Sequence, residues 1–258
     1  MLAQQRQAAI LDRVRASGGV RVSELATEYG VSDMTIRRDL EALADRGLLE
    51  KVHGGATTVT PGSAHEPGFA AKSVRQRTEK AAMAMRAATL VSPGDAIALS
   101  AGTTTAGLAQ RLVDVPELTV VTNSIPVADI FYRAGRPDQT VVLTGGTRTP
   151  SDALVGPVAV SAIGKLHLDM LFLGVHGMSE RAGYTTPNLM EAEVNRALVE
   201  AAERLVVLAD HTKWGTVGIS SIVPLEAADV LITDDGLDAA ARDLLAEQVA
   251  ELIVVTGP

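Results

Sequence analysis

The sequence predicts two domains of different architecture, a small helical domain followed by a larger α/β domain with a mainly parallel sheet. In residues 1–56, three helical patterns follow one another closely. Beyond residue 72, short apolar runs alternate with helical segments, which is typical of a parallel sheet covered by helices on both faces. Residues 57–72 begin TTVTPGSAHEPG, lack apolar periodicity and are interpreted as a linker. We therefore predict domains at 1–56 and 73–258.

The composition is that of a folded protein of the cell interior. The chain has 258 residues, of which 47% are hydrophobic, so it can bury a sizeable core. Because it has no cysteine, no apolar run of transmembrane length and no secretory leader pattern, we expect a cytoplasmic location. The net charge of −8 arises entirely after residue 56, since the first 56 residues hold eight basic and eight acidic side chains. A neutral small domain neither supports nor excludes nucleic-acid binding.

Capping and termination signals divide the small domain into three helices. The first helix runs at about residues 4–16, and its apolar residues at core spacing are Ile10, Leu11 and Val14. We expect Ser23 to cap a short second helix that ends at Gly30. Ser32 is expected to cap a third helix that ends at Gly47. Two helices joined by so short a turn are typical of a helix-turn-helix.

The third helix combines an apolar stripe with a polar face. Its stripe has the spacing i, i+4, i+7 and consists of Ile36, Leu40 and Leu43. In a helix-turn-helix, the amino-terminal residues of this helix enter the major groove of DNA. The segment LLEKVHGGA that follows predicts a short hairpin wing at the DNA backbone. The candidate DNA contacts are Ser32, Thr35, Arg37, Arg38, Lys51 and His53. The alternative is a helical hairpin used only for packing or dimerisation.

The segment RVSELATEYGVSDMTIRRDLEALADRGLLEKVHGGA resembles the amino-terminal signature of the DeoR/GlpR family of bacterial sugar-metabolism regulators. The resemblance continues to the carboxyl end and covers nearly the whole chain. It implies an operator-binding protein, most often a repressor, that forms a homo-oligomer, a dimer or tetramer, and responds to a phosphorylated sugar.

The larger domain alternates short apolar runs with helical segments. The predicted strands are 96–99, 118–121, 141–143, 170–173, 205–208, 230–232 and 252–255. The predicted helices are 104–113, 126–134, 153–165, 190–202 and 239–249. In such sheets, ligands bind beyond the carboxyl ends of the strands, so the loops at those ends are the candidate ligand site.

Polar, glycine-rich loops follow three neighbouring strands. The SAGTTT loop at 100–105 leads into a helix, and its N–H groups and hydroxyls suit a phosphate; ordinary helix capping is the alternative. The loops TNS and TGGTR follow the next two strands, and Arg148 in the second offers a charged fork for phosphate unless it is a surface residue. The candidate effector-binding residues are Ser100, Gly102, Thr103, Thr104, Thr105, Asn123, Ser124, Gly145, Gly146, Arg148, His176, Glu191 and Lys213.

The stretches SAGTTT, VVTNS, LTGGT, GYTTPNLMEAEV and ADHTKWG resemble the family's sensor domain, which is itself similar to ribose-5-phosphate isomerase and glucosamine-6-phosphate deaminase. Two positions depart from the family pattern, because Asp is common where this chain has Ser100 and where it has His176. A histidine there removes the paired carboxylates that isomerase chemistry needs. His176 instead either hydrogen-bonds a ligand hydroxyl or packs as a structural residue. Lys213 is either a second cation for the phosphate or a solvated side chain.

These features predict a sequence-specific transcriptional regulator that binds duplex DNA and is controlled by a phosphorylated metabolite. An isomerase or deaminase with an accessory DNA-binding module is the alternative, disfavoured by His176. An RNA-binding module is disfavoured because only 3% of residues are aromatic. We expect no cofactor and no metal, because the five histidines are scattered singly along the chain.

Overall fold

The structure is a computed structural model that describes residues 3–17, 19–45, 48–52, 54–57, 66 and 68–256. The chain forms two compact units, Met1–Pro61 and Gly62–Pro258. Among the described helices, none is both long enough and apolar enough to cross a membrane.

The first unit contains three helices and a small antiparallel sheet. The helices are α1 (Ala3–Ser17), α2 (Val22–Tyr29) and α3 (Asp33–Asp45). The strands β1 (Gly19–Arg21), β2 (Glu50–Val52) and β3 (Gly55–Thr57) are ordered β1-β3-β2. The hairpin formed by β2 and β3 confirms the predicted wing. β1 was not expected from the sequence, and Thr57, which we assigned to the linker, belongs to β3.

The helix boundaries in this unit confirm two signals and correct one. Gly30 ends α2 in the left-handed conformation with φ 65°, and the Thr35 N–H donates to Ser32 Oγ over 3.2 Å. The expected cap at Ser23 is wrong, because α2 already begins at Val22. The chain passes from β1 directly into the helix, and the Val22 N–H is satisfied by Gly54 O at 2.9 Å. Gly47 lies outside the described residues.

The core of the first unit follows the helical spacing in the sequence. Its fully buried apolar residues include Ile10, Val14, Leu25, Ile36, Leu40 and Leu43. Leu11 is only partly buried. The stripe on α3 therefore packs inward, and the polar residues of the same helix other than Asp39 are left outside the core.

The second unit is built on a seven-stranded parallel sheet ordered β15-β14-β12-β9-β4-β5-β6. Its strands are β4 (Ala96–Leu99), β5 (Thr119–Thr122), β6 (Thr140–Leu143), β9 (Leu168–Gly174), β12 (Ala202–Leu208), β14 (Val230–Asp234) and β15 (Leu252–Val255). All seven predicted strands are confirmed, with ends that differ by up to three residues. Alternate residues of β9 enter two different cores: Leu171 and Leu173 pack in one, Met170 and Phe172 in the other.

Helices cover both faces of this sheet. They are α4 (Phe69–Ser73), α5 (Arg77–Ala88), α6 (Thr103–Leu112), α7 (Ile125–Ala134), α8 (Pro157–Ile163), α9 (Leu189–Ala201) and α10 (Ala239–Gln248). A short 3₁₀ turn, His211–Lys213, follows β12, and another is Leu225–Ala227. Helix α4 lies largely within the segment that we assigned to the linker.

Two small antiparallel sheets complete the unit. One is the hairpin of β7 (Thr147–Arg148) and β8 (Leu154–Val155), and the other consists of β10 (Gly177–Ser179), β11 (Gly183–Thr186) and β13 (Ser220–Val223). The hairpin corrects the predicted helix at 153–165, whose first part is strand β8. The helix starts only after Gly156, where φ is 92° and helical geometry is broken.

Candidate functional site

The candidate DNA contacts on α3 lie on its exposed face. Ser32 Oγ caps the helix and lies 2.9 Å from Thr35 Oγ1, so these two hydroxyls are hydrogen-bonded to each other. The side chains of Arg37 and Arg38 are exposed. Within the part of the chain that the structure describes, neither guanidinium has a hydrogen-bond or ion-pair partner. Both cations are therefore available for an anionic surface.

The wing lies beside the same helix. Lys51 Nζ pairs with Glu41 Oε1 of α3 at 2.9 Å, in an exposed ion pair. Arg37 and Lys51 line one small groove together with Val52. His53 lies outside the described residues. The structure thus brings Arg37 and Lys51 together, as expected for a wing that follows a recognition helix.

Met34 on α3 was missed in the sequence interpretation. Its side chain is 61% exposed although it is a large apolar residue. An apolar side chain near the start of a recognition helix can contact the methyl group of thymine in the major groove. The available signal was its place outside the stripe formed by Ile36, Leu40 and Leu43.

A buried ion pair fixes α3 to α1. Arg6 Nε lies 2.6 Å from Asp39 Oδ2, and the two side chains are 10% and 6% exposed. Gln7 Nε2 donates to Asp39 Oδ1 over 3.0 Å. Asp39 directly follows Arg38, so these contacts set the orientation of the helix face that carries the candidate DNA contacts.

The SAGTTT loop is held together by its own polar side chains. Ser100 is fully buried, and its Oγ accepts the Gly174 N–H over 2.9 Å, which ties β4 to β9. Thr105 Oγ1 donates to Ser100 O at 2.7 Å and to Gly102 O at 3.0 Å. Neither hydroxyl caps α6.

Helix α6 begins without a side-chain cap. Its N-cap residue is Gly102, and the first helical hydrogen bond comes from the Ala106 N–H to Gly102 O. The N–H groups of the first helical turn precede that bond and carry the positive end of the helix dipole. They belong to Thr103, Thr104 and Thr105. The sequence left two interpretations of this loop, a phosphate site and ordinary helix capping. The structure shows no side-chain cap, so the capping interpretation is wrong.

Asn123 and Ser124 serve mainly to join loops. Asn123 is fully buried; its Oδ1 accepts the Ala101 N–H at 2.9 Å and its Nδ2 donates to Leu154 O at 3.3 Å. Ser124 caps α7 by accepting the Val127 N–H at 3.3 Å. The loops after β4 and β5 therefore meet, as predicted, and the β7–β8 hairpin joins them.

The glycines after β6 have a structural explanation. Gly145 and Gly146 have φ of 74° and 120°, which glycine adopts readily. A Cβ on Gly146 would lie 2.5 Å from Val155 O, so the glycine permits the hairpin to close. Arg148 is 64% exposed and pairs with Asp152 at 2.6 Å. It lies on the hairpin surface, engaged with a carboxylate.

Two lysines that the sequence interpretation missed lie near Lys213. Lys72 Nζ donates to Ser151 Oγ at 2.9 Å. Lys80 Nζ donates to Lys72 O at 2.8 Å and to Arg75 O at 2.7 Å. Lys72 lies in α4 and Lys80 in α5, and both helices contact α6. Because neither lysine follows the end of a strand, an interpretation based on strand-end loops does not find them.

The charges of these lysines act on one another. Burial lowers the pKa of Lys80 to about 8; Asp210 opposes this effect, and the positive charges of Lys213 and Lys72 add to it. Burial also lowers the pKa of Lys72, partly opposed by Glu191 and Glu66. Lys72, Lys80 and Lys213 thus form a partly buried cluster of cations, which we call the lysine cluster.

Two carboxylates border the lysine cluster. Glu191, a predicted site residue, is buried, and it accepts a hydrogen bond from Thr186 Oγ1 at 2.8 Å. Burial raises the pKa of Glu191, although Lys72 and the Thr186 hydroxyl act in the opposite direction. Its position at the start of α9 follows from Asn188, whose Oδ1 accepts the N–H groups of Met190 and Glu191.

Glu66 connects the segment before α4 to the same region. Its Oε1 accepts from Ser151 Oγ at 2.6 Å, and its Oε2 accepts from Asn188 Nδ2 at 2.8 Å. Burial raises the pKa of Glu66, but the hydrogen bonds from Ser151, Asn188 and Thr149, together with the charge of Lys72, outweigh it and hold the pKa below its usual value. Ser151 therefore bridges the Glu66 carboxylate and the Lys72 ammonium.

His176 follows β9 and is half-buried. Its backbone N–H donates to Thr185 O at 3.1 Å. This hydrogen bond lies at the end of the β10–β11 hairpin, where Gly177 pairs with Thr185. Lys213 is also half-buried and lies in the 3₁₀ turn after β12. Of the thirteen candidate effector residues, Lys213 belongs to the lysine cluster and Glu191 acts on the charge of Lys72. Arg148, by contrast, pairs with Asp152.

Family models match both units of the chain. A DeoR-like helix-turn-helix domain matches residues 6–61, and the DeoR C terminal sensor domain matches residues 75–235. The chain belongs to the DeoR family. Its membership confirms the predicted two-part regulator, with DNA binding in the first part and a sensor in the second.

Relatives in the DeoR family extend over the full chain. The HTH-type transcriptional regulator GlpR of Haloferax volcanii is 38% identical over 258 residues, covering 100% of this chain and 99% of GlpR. YgbI of Escherichia coli K12, an uncharacterized HTH-type transcriptional regulator, is 38% identical and 98% of each chain is covered. The transcriptional repressor AccR of Agrobacterium fabrum is 33% identical over 90% of each chain. These relatives are regulators rather than enzymes, in agreement with the prediction for this DeoR-family chain.

Solved structures match about half of the chain at low similarity. Ribose 5-phosphate isomerase A from Methanocaldococcus jannaschii has a TM-score of 0.38 and 16% identity, covering 53% of this chain and 54% of the isomerase. The translation initiation factor eIF-2B of Pyrococcus horikoshii has a TM-score of 0.43 and 14% identity, covering 61% and 62%. TM-scores this low support no inference about what this DeoR-family protein binds.

Proposed function

We propose that this DeoR-family regulator is an operator-binding repressor whose DNA affinity is controlled by a phosphorylated sugar or a related metabolite. Residues 1–56 bind the operator, residues 73–258 bind the effector, and 57–72 join them. The contacts of Glu66 and α4 extend the effector-binding unit into this joining segment. Both binding events take place in the cytoplasm.

The observation that carries the effector proposal is the lysine cluster. Burial lowers the pKa of both Lys72 and Lys80, and repulsion from the positive charge of Lys213 adds to this effect, against the opposing charges of Glu191, Glu66 and Asp210. A phosphate dianion relieves this repulsion and forms charge-assisted hydrogen bonds with lysine. The uncapped first turn of α6 supplies further N–H donors of the kind that bind phosphate.

Lys72 provides a physical route from effector to DNA-binding unit. It lies in α4, at the end of the segment 57–72 that joins the two units, and it shares Ser151 with Glu66. A phosphate that attracts Lys72 competes with this contact and alters the start of the second unit. A coupling free energy of about 1–3 kcal/mol changes operator affinity roughly 5- to 150-fold. Release of DNA upon effector binding is the expected direction for a repressor.

A homo-oligomer, either dimer or tetramer, is part of this proposal. Helix-turn-helix proteins commonly bind as dimers to two half-sites one helical turn or a multiple apart. A small change in the separation of two recognition helices then moves one helix out of alignment with its half-site.

Arg38→Ala is expected to weaken binding to an operator selected from random duplex DNA by about 5- to 150-fold, because a bidentate arginine–guanine contact contributes about 1–3 kcal/mol of discrimination. Arg111→Ala, which removes an exposed cation from α6, is the matched control and leaves DNA binding unchanged. Fluorescence anisotropy with operator and scrambled DNA gives both affinities. Equal operator affinity in wild type and the Arg38 variant rejects this role.

The affinity for a phosphate monoester is expected to fall as pH rises through about 8, the pKa of Lys80. An anion stabilises the protonated ammonium, so binding takes up protons near this pH and weakens once the amine is neutral. Lys80→Arg keeps its charge throughout and flattens the profile. Calorimetric titration with glycerol 3-phosphate between about pH 7.5 and 9.5 measures this, since the monoester is already dianionic there. A flat wild-type profile excludes Lys80 from the contact.

A further inference from the structure

A histidine–carboxylate pair lies in the loop that carries Lys213. His211 Nδ1 is 2.6 Å from Asp234 Oδ2, and the backbone N–H of the same histidine donates to Asp234 Oδ1 at 2.7 Å. The side chain of Asp234 is 2% exposed, whereas that of His211 is 31% exposed. The carboxylate is therefore inside the protein and the imidazole reaches the surface of the loop region.

The imidazole is held in one orientation. Asp234 lies at the end of β14 and also accepts the Gly236 N–H at 3.1 Å. A Cβ on Gly236 would lie 2.5 Å from His211 Nδ1, so the chain packs closely against the ring. Because an ionised carboxylate only accepts hydrogen bonds, the neutral tautomer that fits this contact carries its proton on Nδ1 and leaves Nε2 as an acceptor. Among the described residues, none hydrogen-bonds to Nε2.

This histidine belongs to the same short turn as Lys213 of the lysine cluster. Asp210 caps the 3₁₀ turn that contains His211 and Lys213, accepting the Thr212 N–H at 3.1 Å and the Thr212 hydroxyl. The charges of Asp210 and Lys213 also act on Lys80. One turn after β12 therefore contributes to the lysine cluster and presents the oriented imidazole.

We propose that His211 binds a hydroxyl of the sugar portion of the phosphorylated effector, with Asp234 as its positioning residue. This inference rests on the proposed phosphate site. A neutral imidazole with a free Nε2 accepts a hydrogen bond from a sugar O–H, whereas the dianionic phosphate group of a sugar phosphate has no proton to donate to it. The lysines thus recognise the anionic group, and His211 distinguishes a phosphorylated polyol from inorganic phosphate.

His211→Asn tests this assignment in the full chain. The asparagine amide retains a donor near the position of Nδ1, so the contact with Asp234 is kept while Nε2 is removed. We expect the affinity for inorganic phosphate to stay within about twofold, and the affinity for the tightest of a panel of sugar phosphates to fall roughly 3- to 10-fold. Titration calorimetry gives both constants. His167→Asn, at an exposed histidine of the same unit, is the control and changes neither.

The outcomes separate this inference from the proposed function. If the wild type binds neither inorganic phosphate nor any sugar phosphate, the proposed phosphate site itself is wrong. If the wild type binds both and His211→Asn leaves their affinity ratio unchanged, or weakens both equally, His211 does not recognise the hydroxyl. Should His211→Asn fail to fold, Asp234→Asn replaces it, because an amide no longer enforces the Nδ1 proton; the same fall in the ratio is expected, and an unchanged ratio overturns the inference.

Discussion

Asp39→Ala is expected to destabilise the first unit by about 3–5 kcal/mol, because it leaves the buried Arg6 guanidinium without its counter-charge. Arg6 Nε lies 2.6 Å from Asp39 Oδ2 and both side chains are almost completely buried. The amide of Gln7 also loses its acceptor. With so large a loss, the orientation of α3 and therefore operator binding are expected to fail together.

Hydrogen exchange of α3 peptides in the full chain measures this change, because it reports local opening without requiring the two units to unfold together. Glu41→Ala is the matched control, since it removes an exposed partner of Lys51 on the same helix. An exposed pair contributes about 0.2–1 kcal/mol, so exchange changes little in the control. Equal protection of α3 in the wild type and the Asp39 variant would show that the buried pair does not hold the helix.

Periodicity predicted the parts of the fold that depend on simple burial. The apolar stripe of α3 at Ile36, Leu40 and Leu43 is buried, and the seven apolar runs of the second unit form one parallel sheet. Local caps were predictable when the side chain was the nearest acceptor, as at Ser32. The prediction for Ser23 failed because the backbone oxygen of Gly54, just before β3, and not a side chain, accepts the N–H at the start of α2.

Contacts between distant segments could not be predicted in this way. Asp39 lies beside the apolar stripe of α3, but a lone aspartate does not reveal its partner, and its buried charge depends on Arg6, which is 33 residues away. Lys72 and Lys80 lie on helices outside the strand-end loops, and their role depends on how α4 and α5 pack. Arg148 satisfied the rule for a strand-end cation, but the turn of its hairpin places Asp152 beside it.

The double substitution Lys80→Met and Lys213→Met is expected to weaken binding of a sugar phosphate by at least about 100-fold, because each charge-assisted hydrogen bond contributes about 1.5–3 kcal/mol. Methionine preserves the length and apolar stem of lysine; loss of the two charges removes their desolvation cost and their mutual repulsion, while the carbonyl oxygens of Lys72 and Arg75 lose the Lys80 donor. We expect the variant to retain its fold. Replacement of two exposed cations of the same unit, Arg111 and Lys165, by methionine matches the change in net charge and leaves the affinity unaltered.

Operator affinity measured with and without a sugar phosphate, in wild type and in the Lys80/Lys213 variant, addresses both halves of the regulator at once. We predict that wild-type affinity falls roughly 5- to 150-fold on saturation, whereas the variant binds operator equally well in the presence and absence of the metabolite. A variant that responds like the wild type would contradict the assignment of the lysine cluster. A wild type that ignores every phosphorylated sugar yet responds to an unphosphorylated one would contradict phosphate sensing altogether.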